Sequence, residues 1–232
     1  MDYAIIAAGE GSRLVQEGVK WPKPLVRLNG TPLIERLIDV FLQNDATTIN
    51  VIVNEEMKEV QEYLGKLQLP VPLRLLIKST PSSMHSFFEL RAYLENERFC
   101  LTTVDTICKK EEFKQYIQSF LKSEDIDGLM AVTDYIDDEK PLYVNTGRNL
   151  LIKSFSDKAE PDSRYISGGI YCLKRTALKV LDSAMEKGMS RMRNYQRLLI
   201  EEGLVLKAYP FGKIIDVDHA GDIVKAERFL NT

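Results

Sequence analysis

The sequence predicts an α/β fold, a three-layer sandwich in which helices cover both faces of a mainly parallel β-sheet, with a small antiparallel lobe. Short apolar runs alternate with amphipathic stretches along most of the chain, a pattern typical of right-handed β–α–β crossovers. Two strand-like runs separated by Thr-Gly-Arg-Asn indicate a β-hairpin within that lobe. A length of 232 residues with 44% hydrophobic content fits a single domain over residues 1–232.

Amphipathic spacing predicts the first helix at residues 32–43, with Thr31 as its cap and Pro32 at its first position. The other predicted helices cover residues 55–67, 87–95, 111–123, 175–187 and 192–202, followed by a terminal helix that ends at residue 230. The predicted strands cover residues 3–8, 48–53, 73–77, 99–105, 128–133, 141–145, 150–155, 204–209 and 213–217. A charge run beside the helix at 192–202 is interpreted as a solvated face: Arg191, Arg193 and Arg197.

Net charge, apolar runs and cysteine content limit the classes of function that the sequence allows. The net charge of −3 argues against general nucleic-acid binding, which needs a basic surface, but it allows a local cluster of cations around a nucleotide. No apolar run approaches the roughly 20 residues of a membrane helix, and residues 3–8 lack the basic flank of a signal peptide. We therefore expect a soluble, cytoplasmic protein without nucleic-acid or membrane partners. Its three cysteines, without a Cys-x-x-Cys pair, are expected to be reduced core or near-core residues: Cys100, Cys108 and Cys172.

The first apolar run, residues 3–8, ends in a Gly-x-Gly turn at Gly9 and Gly11. Glycines after a strand let backbone N–H groups approach a phosphate closely, because no Cβ intervenes. Arg13 lies two residues beyond the turn and Lys23 ten residues further on, and both supply charge that a polyanion needs. Taken alone, the pattern also fits an ordinary turn with two solvated basic residues.

Carboxylates end two of the predicted strands. Asp105 closes the strand at 99–105, and the carboxyl end of a parallel strand lies at the ligand-binding edge of an open sheet. Capping of the next helix is the alternative role, although Thr106 or Lys109 could serve that helix. Asp216 and Asp218 end the last strand two residues apart, so both side chains can point the same way and spacing leaves the choice open.

The string Ala-Ala-Gly-Glu-Gly-Ser-Arg-Leu from residue 7, with Pro-Lys-Pro-Leu from residue 22, closely resembles the signature of the nucleotidyltransferases that make nucleotide sugars. Later correspondences extend the resemblance over nearly the whole chain. It implies a Rossmann-like sheet of the nucleotide-diphospho-sugar transferase type. Ser12 stands where the family usually has threonine, which keeps the hydroxyl. The resemblance implies nucleotide-binding roles for Ala7, Ala8, Gly9, Gly11 and Ser12.

The resemblance also implies catalytic roles for Arg13, Lys23, Asp105 and Asp218. The first two would stabilise the departing pyrophosphate, and Asp105 and Asp218 would bind Mg²⁺, a cation that prefers oxygen ligands. Asp218 with Asp222 four residues later fits the closing Asp-x-x-x-Asp pattern of the family, although a Trp-x-Asp-x-Gly variant would select Asp216. Asp222 itself is interpreted as a first-turn helix residue.

An acceptor site is implied within residues 134–171. Asp157 and Lys158 stand at the Glu-Lys position of a Glu-Lys-Pro motif, whose lysine binds the acceptor's phosphate, but alanine replaces the proline. Gly168 and Gly169 would let the acceptor lie against the backbone. For Lys158 alone, a solvated loop lysine is the competing interpretation.

The polar, hydroxyl-rich loop at residues 79–86 corresponds to the loop that faces the nucleotide base in the family, which implies base contacts for Ser83 and Ser86. Taken alone, the segment reads as a loop with a helix cap. Many sugar nucleotidyltransferases carry a glycine-rich loop here and this sequence does not. The identities of the nucleotide and of the acceptor therefore stay open.

The resulting hypothesis is the coupling of a nucleoside triphosphate to a phosphorylated acceptor, a sugar 1-phosphate first, with release of pyrophosphate. A phosphate monoester is already a nucleophile, so no general base is needed, and His85 and His219 are expected to lack Ser or Cys partners and catalytic roles. One alternative is a CTP-dependent cytidylyltransferase acting on phosphocholine or another small phosphorylated alcohol. A non-catalytic nucleotide-binding protein is more remote, and a dinucleotide oxidoreductase is disfavoured because Leu14 replaces the third glycine of Gly-x-Gly-x-x-Gly.

Overall fold

The computed structural model describes residues 1–137, 139–161 and 163–232. The helices in chain order are α1 (Ser12–Gln16), α2 (Leu33–Leu42), α3 (Lys58–Gly65), α4 (Ser83–Leu90), α5 (Lys110–Lys122), α6 (Thr176–Glu186), α7 (Met192–Glu201) and α8 (Ala220–Leu230). The strands are β1 (Asp2–Ala7), β2 (Arg27–Leu28), β3 (Thr31–Pro32), β4 (Thr48–Val53), β5 (Leu73–Ile77), β6 (Arg98–Thr103), β7 (Thr106–Ile107), β8 (Gly128–Thr133), β9 (Tyr143–Thr146), β10 (Ile152–Ser156), β11 (Tyr165–Lys174), β12 (Leu206–Phe211) and β13 (Ile215–Asp216).

The main sheet runs in the order β10-β9-β11-β6-β1-β4-β5, and β8 joins it through β11 and carries β12. Strands β6, β1, β4 and β5 are parallel to one another, as are β8 and β12. Strand β11 is antiparallel to β6, β8 and β9, and the predicted hairpin is the antiparallel pair β9–β10. The α/β class is confirmed, and the antiparallel strands continue the main sheet.

Strand β1 lies in the interior of the sheet, between β6 and β4, and both of its faces are apolar. Tyr3 and Ile5 enter one hydrophobic cluster with side chains of α2 and α5, whereas Ala4 and Ile6 enter a second cluster with α4, α6 and α7. Alternate residues of a strand point to opposite faces, so an unbroken apolar run requires cover on both sides. This arrangement is the predicted three-layer sandwich.

Several boundaries differ from the sequence-based expectation. Thr31 belongs to β3 and does not cap α2, which begins at Leu33 without a side-chain cap. Helix α4 begins at Ser83, four residues before the predicted start, because Ser82 caps it. Neither suggested residue caps α5 with its side chain, since Thr106 pairs in β7 and Lys109 makes no capping bond.

The cysteines lie where expected, with Cys100 and Cys172 buried and Cys108 half-buried as free thiols. Cys100 and Cys172 face each other across β6 and β11. Within the described ranges, the structure contains no helix with the length and apolarity needed to cross a membrane.

The short β7–β13 pair places the segment before α8 beside the segment that follows β6. Ile215 pairs with Ile107 and Asp216 with Thr106 in antiparallel register. The next N–H group, from Val217, donates to the carbonyl oxygen of Asp105 over 3.1 Å. Carboxylates more than 100 residues apart in sequence therefore meet at one edge of the sheet.

At the opposite end of β1, the carboxylate of Asp2 is 1% exposed. It accepts hydrogen bonds from the Thr48 hydroxyl at 2.6 Å, the Asn96 side-chain amide at 2.5 Å and the Asn96 backbone N–H at 2.8 Å. Burial alone would raise the pKa of Asp2, but these donors outweigh it and hold the pKa below its usual value. Asp2 therefore links β1, β4 and the segment before β6.

We expect Asp2→Ala to lower the free energy of unfolding by about 2–3 kcal/mol near neutral pH, because buried donors lose a charged acceptor. A carboxylate with a depressed native pKa stabilises above its unfolded-state pKa, and this stability is lost as the pH falls through the native value. Urea denaturation of both proteins at about pH 7 and about pH 3 should show the difference narrowing in acid. An equal difference at both pH values would contradict the assignment.

Candidate active site

A lysine and two carboxylates form the centre of the site. Lys23, at the start of the 3₁₀ helix Lys23–Leu25, is only 9% exposed. Its ammonium contacts Asp105 Oδ2 and lies 2.6 Å from Asp218 Oδ1. Burial alone would lower the pKa of Lys23, but the two carboxylates outweigh it and raise the pKa. The ammonium is therefore held charged between two acceptors from distant parts of the chain.

The glycine turn positions the second cation of the site, the Arg13 guanidinium. Gly11 has φ +62°, a left-handed conformation, and a Cβ there would lie 3.0 Å from Cβ of Lys23. Glycine therefore satisfies both the backbone conformation and the close approach of the lysine stem. The turn leads into α1, from which the Arg13 guanidinium donates to Asp218 Oδ2 at 3.2 Å. Both oxygens of Asp218 thus face cations.

Of the two aspartates at the end of β13, Asp218 contacts Lys23, whereas Asp216 accepts a hydrogen bond from Thr106 Oγ1 at 3.2 Å. The protein around Asp216 limits its hydration even though its outer surface opens into the cleft. This desolvation and the charges of Asp105 and Asp218 raise the pKa of Asp216 to about 8. The protonated form of Asp216 is therefore favoured near neutral pH, because a third negative charge beside Asp105 and Asp218 is unfavourable.

A cleft of about 300 Å³ opens beside these residues. Arg13, Asp216 and Asp218 line one side of it, and Tyr135, Ser167 and Gly168 line another. A Cβ on Gly168 would lie 2.2 Å from Cδ1 of Ile214. Gly169 has φ +73°, and a Cβ there would lie 3.1 Å from Thr106 Oγ1. Strand β11 changes register between Ser167 and Tyr171, so these glycines lie in a bulge, and Gly168 lines the cleft.

A family model described as nucleotidyl transferase matches residues 3–232 of this sequence. The chain belongs to the nucleotidyl transferase family. The fold brings together Gly11, Arg13, Lys23, Asp105 and Asp218, which the resemblance to this family predicted as site residues.

Two curated relatives illustrate the range within the family. The bifunctional protein GlmU of Thermodesulfovibrio yellowstonii is 25% identical over 246 residues, which cover 99% of this chain and 52% of that protein. The D-glycero-α-D-manno-heptose 1-phosphate guanylyltransferase of Campylobacter jejuni is 23% identical over 85% of this chain and 88% of its own. The chain spans about half the length of the GlmU proteins that it matches.

Solved structures show the same fold. The inositol-1-phosphate CTP transferase of T. maritima superposes with a TM-score of 0.79 at 19% identity, covering 99% of this chain and 97% of that one. HddC from Yersinia pseudotuberculosis superposes with a TM-score of 0.76 at 22% identity, covering 98% and 99%.

The residues present fit a divalent cation. Oxygen atoms of Asp105 and Asp218 already converge on one positive charge, the Lys23 ammonium, and Mg²⁺ is commonly held by one or two carboxylates with substrate phosphates. Among the described residues, no group of three or more His, Cys, Asp or Glu side chains is arranged to hold a metal ion. Phosphate and water oxygens would therefore have to complete the coordination.

The loop that carries Asp157 and Lys158 is attached to helix α7. Arg193 contacts Asp157 Oδ1, and Arg197 lies 2.7 Å from Asp157 Oδ2. The Arg197 hydrogen bond, reinforced by Arg193, holds the pKa of Asp157 below its usual value. The interpretation of this charge run as a solvated face is therefore wrong for these two arginines. The amphipathic pattern of α7 is the same whether its arginines face solvent or bind a carboxylate. Only the position of the loop in the structure shows that Arg193 and Arg197 bind Asp157.

Lys158 lies in a neighbouring hollow of about 530 Å³, together with Tyr143 and Arg193. Glu139 borders both this hollow and the cleft beside Asp218. The role of Lys158 in binding the acceptor stays a prediction. Both oxygens of Asp157 are engaged by arginines, so this carboxylate fixes the loop in the structure as it stands.

The two serines predicted to contact the base differ in their exposure to solvent. Ser86 is 1% exposed, and its hydroxyl bonds to Thr80 at 2.6 Å, whereas Ser83 is half-buried at the start of α4. The expectation that His85 lacks a serine partner is wrong, because Ser82 Oγ lies 2.8 Å from His85 Nδ1. This contact joins residues three apart in the first helical turn and is part of the α4 cap.

Sequence reasoning also missed a link between the two halves of the site. Glu17 accepts hydrogen bonds from His219 Nδ1 and from the Ala220 N–H group, both at 2.6 Å. It lies next to α1, whereas His219 and Ala220 begin α8, where Asp222 is the expected first-turn residue and caps the backbone N–H groups. Hydrogen bonding to Glu17 raises the pKa of His219, and the same bond lowers the pKa of Glu17.

We expect His219 to titrate above its ordinary value of 6.5 and Glu17→Gln to return it towards that value, because the neutral amide no longer favours the imidazolium. The chain contains two histidines, so an NMR titration of ring protons follows both, and His85 is the internal control. The charged link is present below the ordinary histidine pKa and is lost as the pH rises through the native His219 value. An unchanged His219 titration in Glu17→Gln would contradict the link.

Proposed function

We propose that the protein is an enzyme that couples a nucleoside triphosphate to a phosphorylated small-molecule acceptor and releases pyrophosphate. A sugar 1-phosphate is the first candidate acceptor. The observation that carries the proposal is the convergence of Arg13, Lys23, Asp105 and Asp218 beside the glycine turn, at the carboxyl edge of the parallel strands. Open α/β sheets bind ligands at this edge.

In the proposed reaction, an oxygen of the acceptor phosphate attacks the α-phosphorus of the triphosphate. One P–O bond forms as the bond to the bridging oxygen breaks, and pyrophosphate leaves in line with the attack. Positive charge from Arg13 and Lys23 would stabilise the pyrophosphate as its charge grows. Backbone N–H groups of Gly9 and Gly11 would position the phosphates.

The chemistry requires no general base, because a phosphate monoester is already a nucleophile at neutral pH. The two histidines fit this view, since His85 belongs to a helix cap and His219 bonds to Glu17. The work of the protein is then positioning and charge neutralisation.

We propose Mg²⁺ as the cofactor, with Asp105 and Asp218 as its protein ligands. When bound, the ion would neutralise phosphate charge and favour the in-line geometry. Asp216 is the alternative ligand, and its place opposite Thr106 argues against it.

The cleft between Asp218 and the β11 bulge is the proposed acceptor site. Gly168 lines this cleft, but Ile214 fills the space where a Cβ of residue 168 would lie, so an acceptor would meet the Gly168 backbone only from the cleft side. The Lys158 loop borders the cleft across Glu139. The Arg193–Asp157–Arg197 contacts would hold that loop against α7.

A second candidate is a cytidylyltransferase that acts on phosphocholine or another small phosphorylated alcohol. The glycine-poor loop at residues 79–86 favours it over a typical sugar enzyme. A 33% identical match over 76 residues, one third of this chain, to the 2-aminoethylphosphonate cytidylyltransferase of Lancefieldella rimae also supports it. A matrix of four triphosphates against several sugar phosphates and phosphocholine, assayed by pyrophosphate release, decides between the two.

With the active pair from this matrix, we expect Asp105→Asn to lower kcat by at least about two orders of magnitude, the scale for loss of an essential electrostatic contact. Asp218→Ala should abolish metal-dependent activity, while Asp216→Ala should retain a measurable fraction. Asp125→Asn, at an exposed carboxylate, is the matched control. Full activity of Asp105→Asn in excess chelator would contradict the proposal.

Substitution of Lys23 and substitution of Lys158 should impair different steps of the reaction. Lys23→Ala should lower kcat with every acceptor, because it removes charge that stabilises the leaving group. Lys158→Ala should mainly raise KM for the acceptor, the signature of lost uniform binding. Titration of each variant with triphosphate and with acceptor separates the cases. Normal binding and turnover of every acceptor by Lys158→Ala would show that this lysine is only a solvated loop residue.

A further inference from the structure

The Lys23 ammonium occupies the position that a metal ion would take. It contacts Asp105 Oδ2 and Asp218 Oδ1, the carboxylates that the fold offers as ligands. The second oxygen of Asp218 is bonded to Arg13 at 3.2 Å. A divalent cation that approached these carboxylates would therefore meet two cations already bound to them.

An ammonium and a divalent cation cannot share this position cheaply. Like charges a few ångströms apart repel strongly, and the repulsion grows where protein replaces water. Lys23 is 9% exposed, so water screens it poorly where it stands. Binding of a divalent cation at the same oxygens thus requires the ammonium to move.

The backbone around Lys23 is held by hydrogen bonds, so displacement of the ammonium depends on the side chain alone. The Leu25 N–H group donates to Pro22 O at 2.8 Å, and the Val26 N–H group donates to Lys23 O at 3.1 Å, so the main chain is fixed on both sides of the lysine. The stem lies against Gly11, where even a Cβ would come within 3.0 Å. Three methylenes, Cγ, Cδ and Cε, lie between that contact and the ammonium, and rotation about their bonds can carry it from the carboxylates towards the glycine turn.

We propose that Lys23 is the resident counter-ion of Asp105 and Asp218 in the free protein, and that a divalent cation binds these carboxylates only by displacing it. The inference rests on the proposed function in taking these two carboxylates as metal ligands. It adds that the lysine suppresses metal binding in the absence of a polyanion. A triphosphate on the Gly9–Gly11 turn would give the displaced ammonium new oxygen partners.

The test uses Mn²⁺ alone as the probe, with no nucleotide or acceptor. Bound Mn²⁺ is measured from the loss of the free-ion signal in electron paramagnetic resonance. We expect wild type to bind weakly and Lys23→Met, which keeps the volume of the stem and removes the charge, to bind at least about tenfold more tightly. Lys23→Arg, which keeps the charge, and Lys20→Met, at an exposed neighbouring lysine, should behave like wild type.

A second measurement covers the case in which Lys23→Met is poorly folded, since unpaired Asp105 and Asp218 repel each other. Without metal its Tm should lie below that of wild type, and Mn²⁺ should raise it by more than it raises the wild-type Tm, because a ligand stabilises the state that binds it. Adding Asp105→Asn to Lys23→Met should remove both gains and so locate the ion.

Equal Mn²⁺ affinity of wild type and Lys23→Met would overturn the inference, and so would the absence of any Mn²⁺ response in Lys23→Met. Neither result depends on turnover. A protein that shows the expected Mn²⁺ response but no pyrophosphate release with any substrate pair would retain the counter-ion and lose the proposed function.

Discussion

All six residues of β1 are buried, and the side chains of residues 3–7 alternate between the hydrophobic clusters on the two faces of the sheet. A strand covered on both sides can be neither shifted nor exposed without loss of apolar contacts on both faces. The turn that follows it, with Gly9 and Gly11, therefore has a fixed position at the edge of the sheet. Parallel pairing of β1 with β6 brings the end of β6, and with it Asp105, to the same edge.

The charges at this edge are assembled against their own electrostatic cost. Asp105, Asp216 and Asp218 come from two distant segments, and desolvation of Asp216, together with the charges of Asp105 and Asp218, raises its pKa. Burial of ion pairs contributes little net stability, because desolvation offsets most of the attraction. A buried lysine between two carboxylates is therefore better explained by the ligands of the site than by the stability of the fold. Crowded, perturbed carboxylates in a cleft are typical of functional sites.

Helix α7 joins the sheet to the loop that carries Asp157 and Lys158. Its inner face contributes Tyr195 and Leu199 to a hydrophobic cluster, and Gln196 accepts a hydrogen bond from Ser167 at 3.0 Å. Its outer arginines hold Asp157. One helix thus contacts both strand β11 and the loop that carries Lys158. Substitutions on α7 that never touch a substrate can therefore alter the geometry of the proposed acceptor site.

The sequence by itself determined the α/β class, most strands and helices, and the pairing of a glycine turn with Arg13, Lys23 and terminal aspartates. Local periodicity and the chemistry of each residue type carry that information, because both act over a few residues. Only the tertiary structure decided that Asp218 contacts Lys23 while Asp216 faces Thr106. It also decided that Glu17 bonds to His219, and that Arg193 and Arg197 bind a carboxylate instead of facing solvent. Each of these contacts joins residues between 36 and 202 positions apart, and the packing of the sheet and helices, which no local pattern encodes, sets which of them meet.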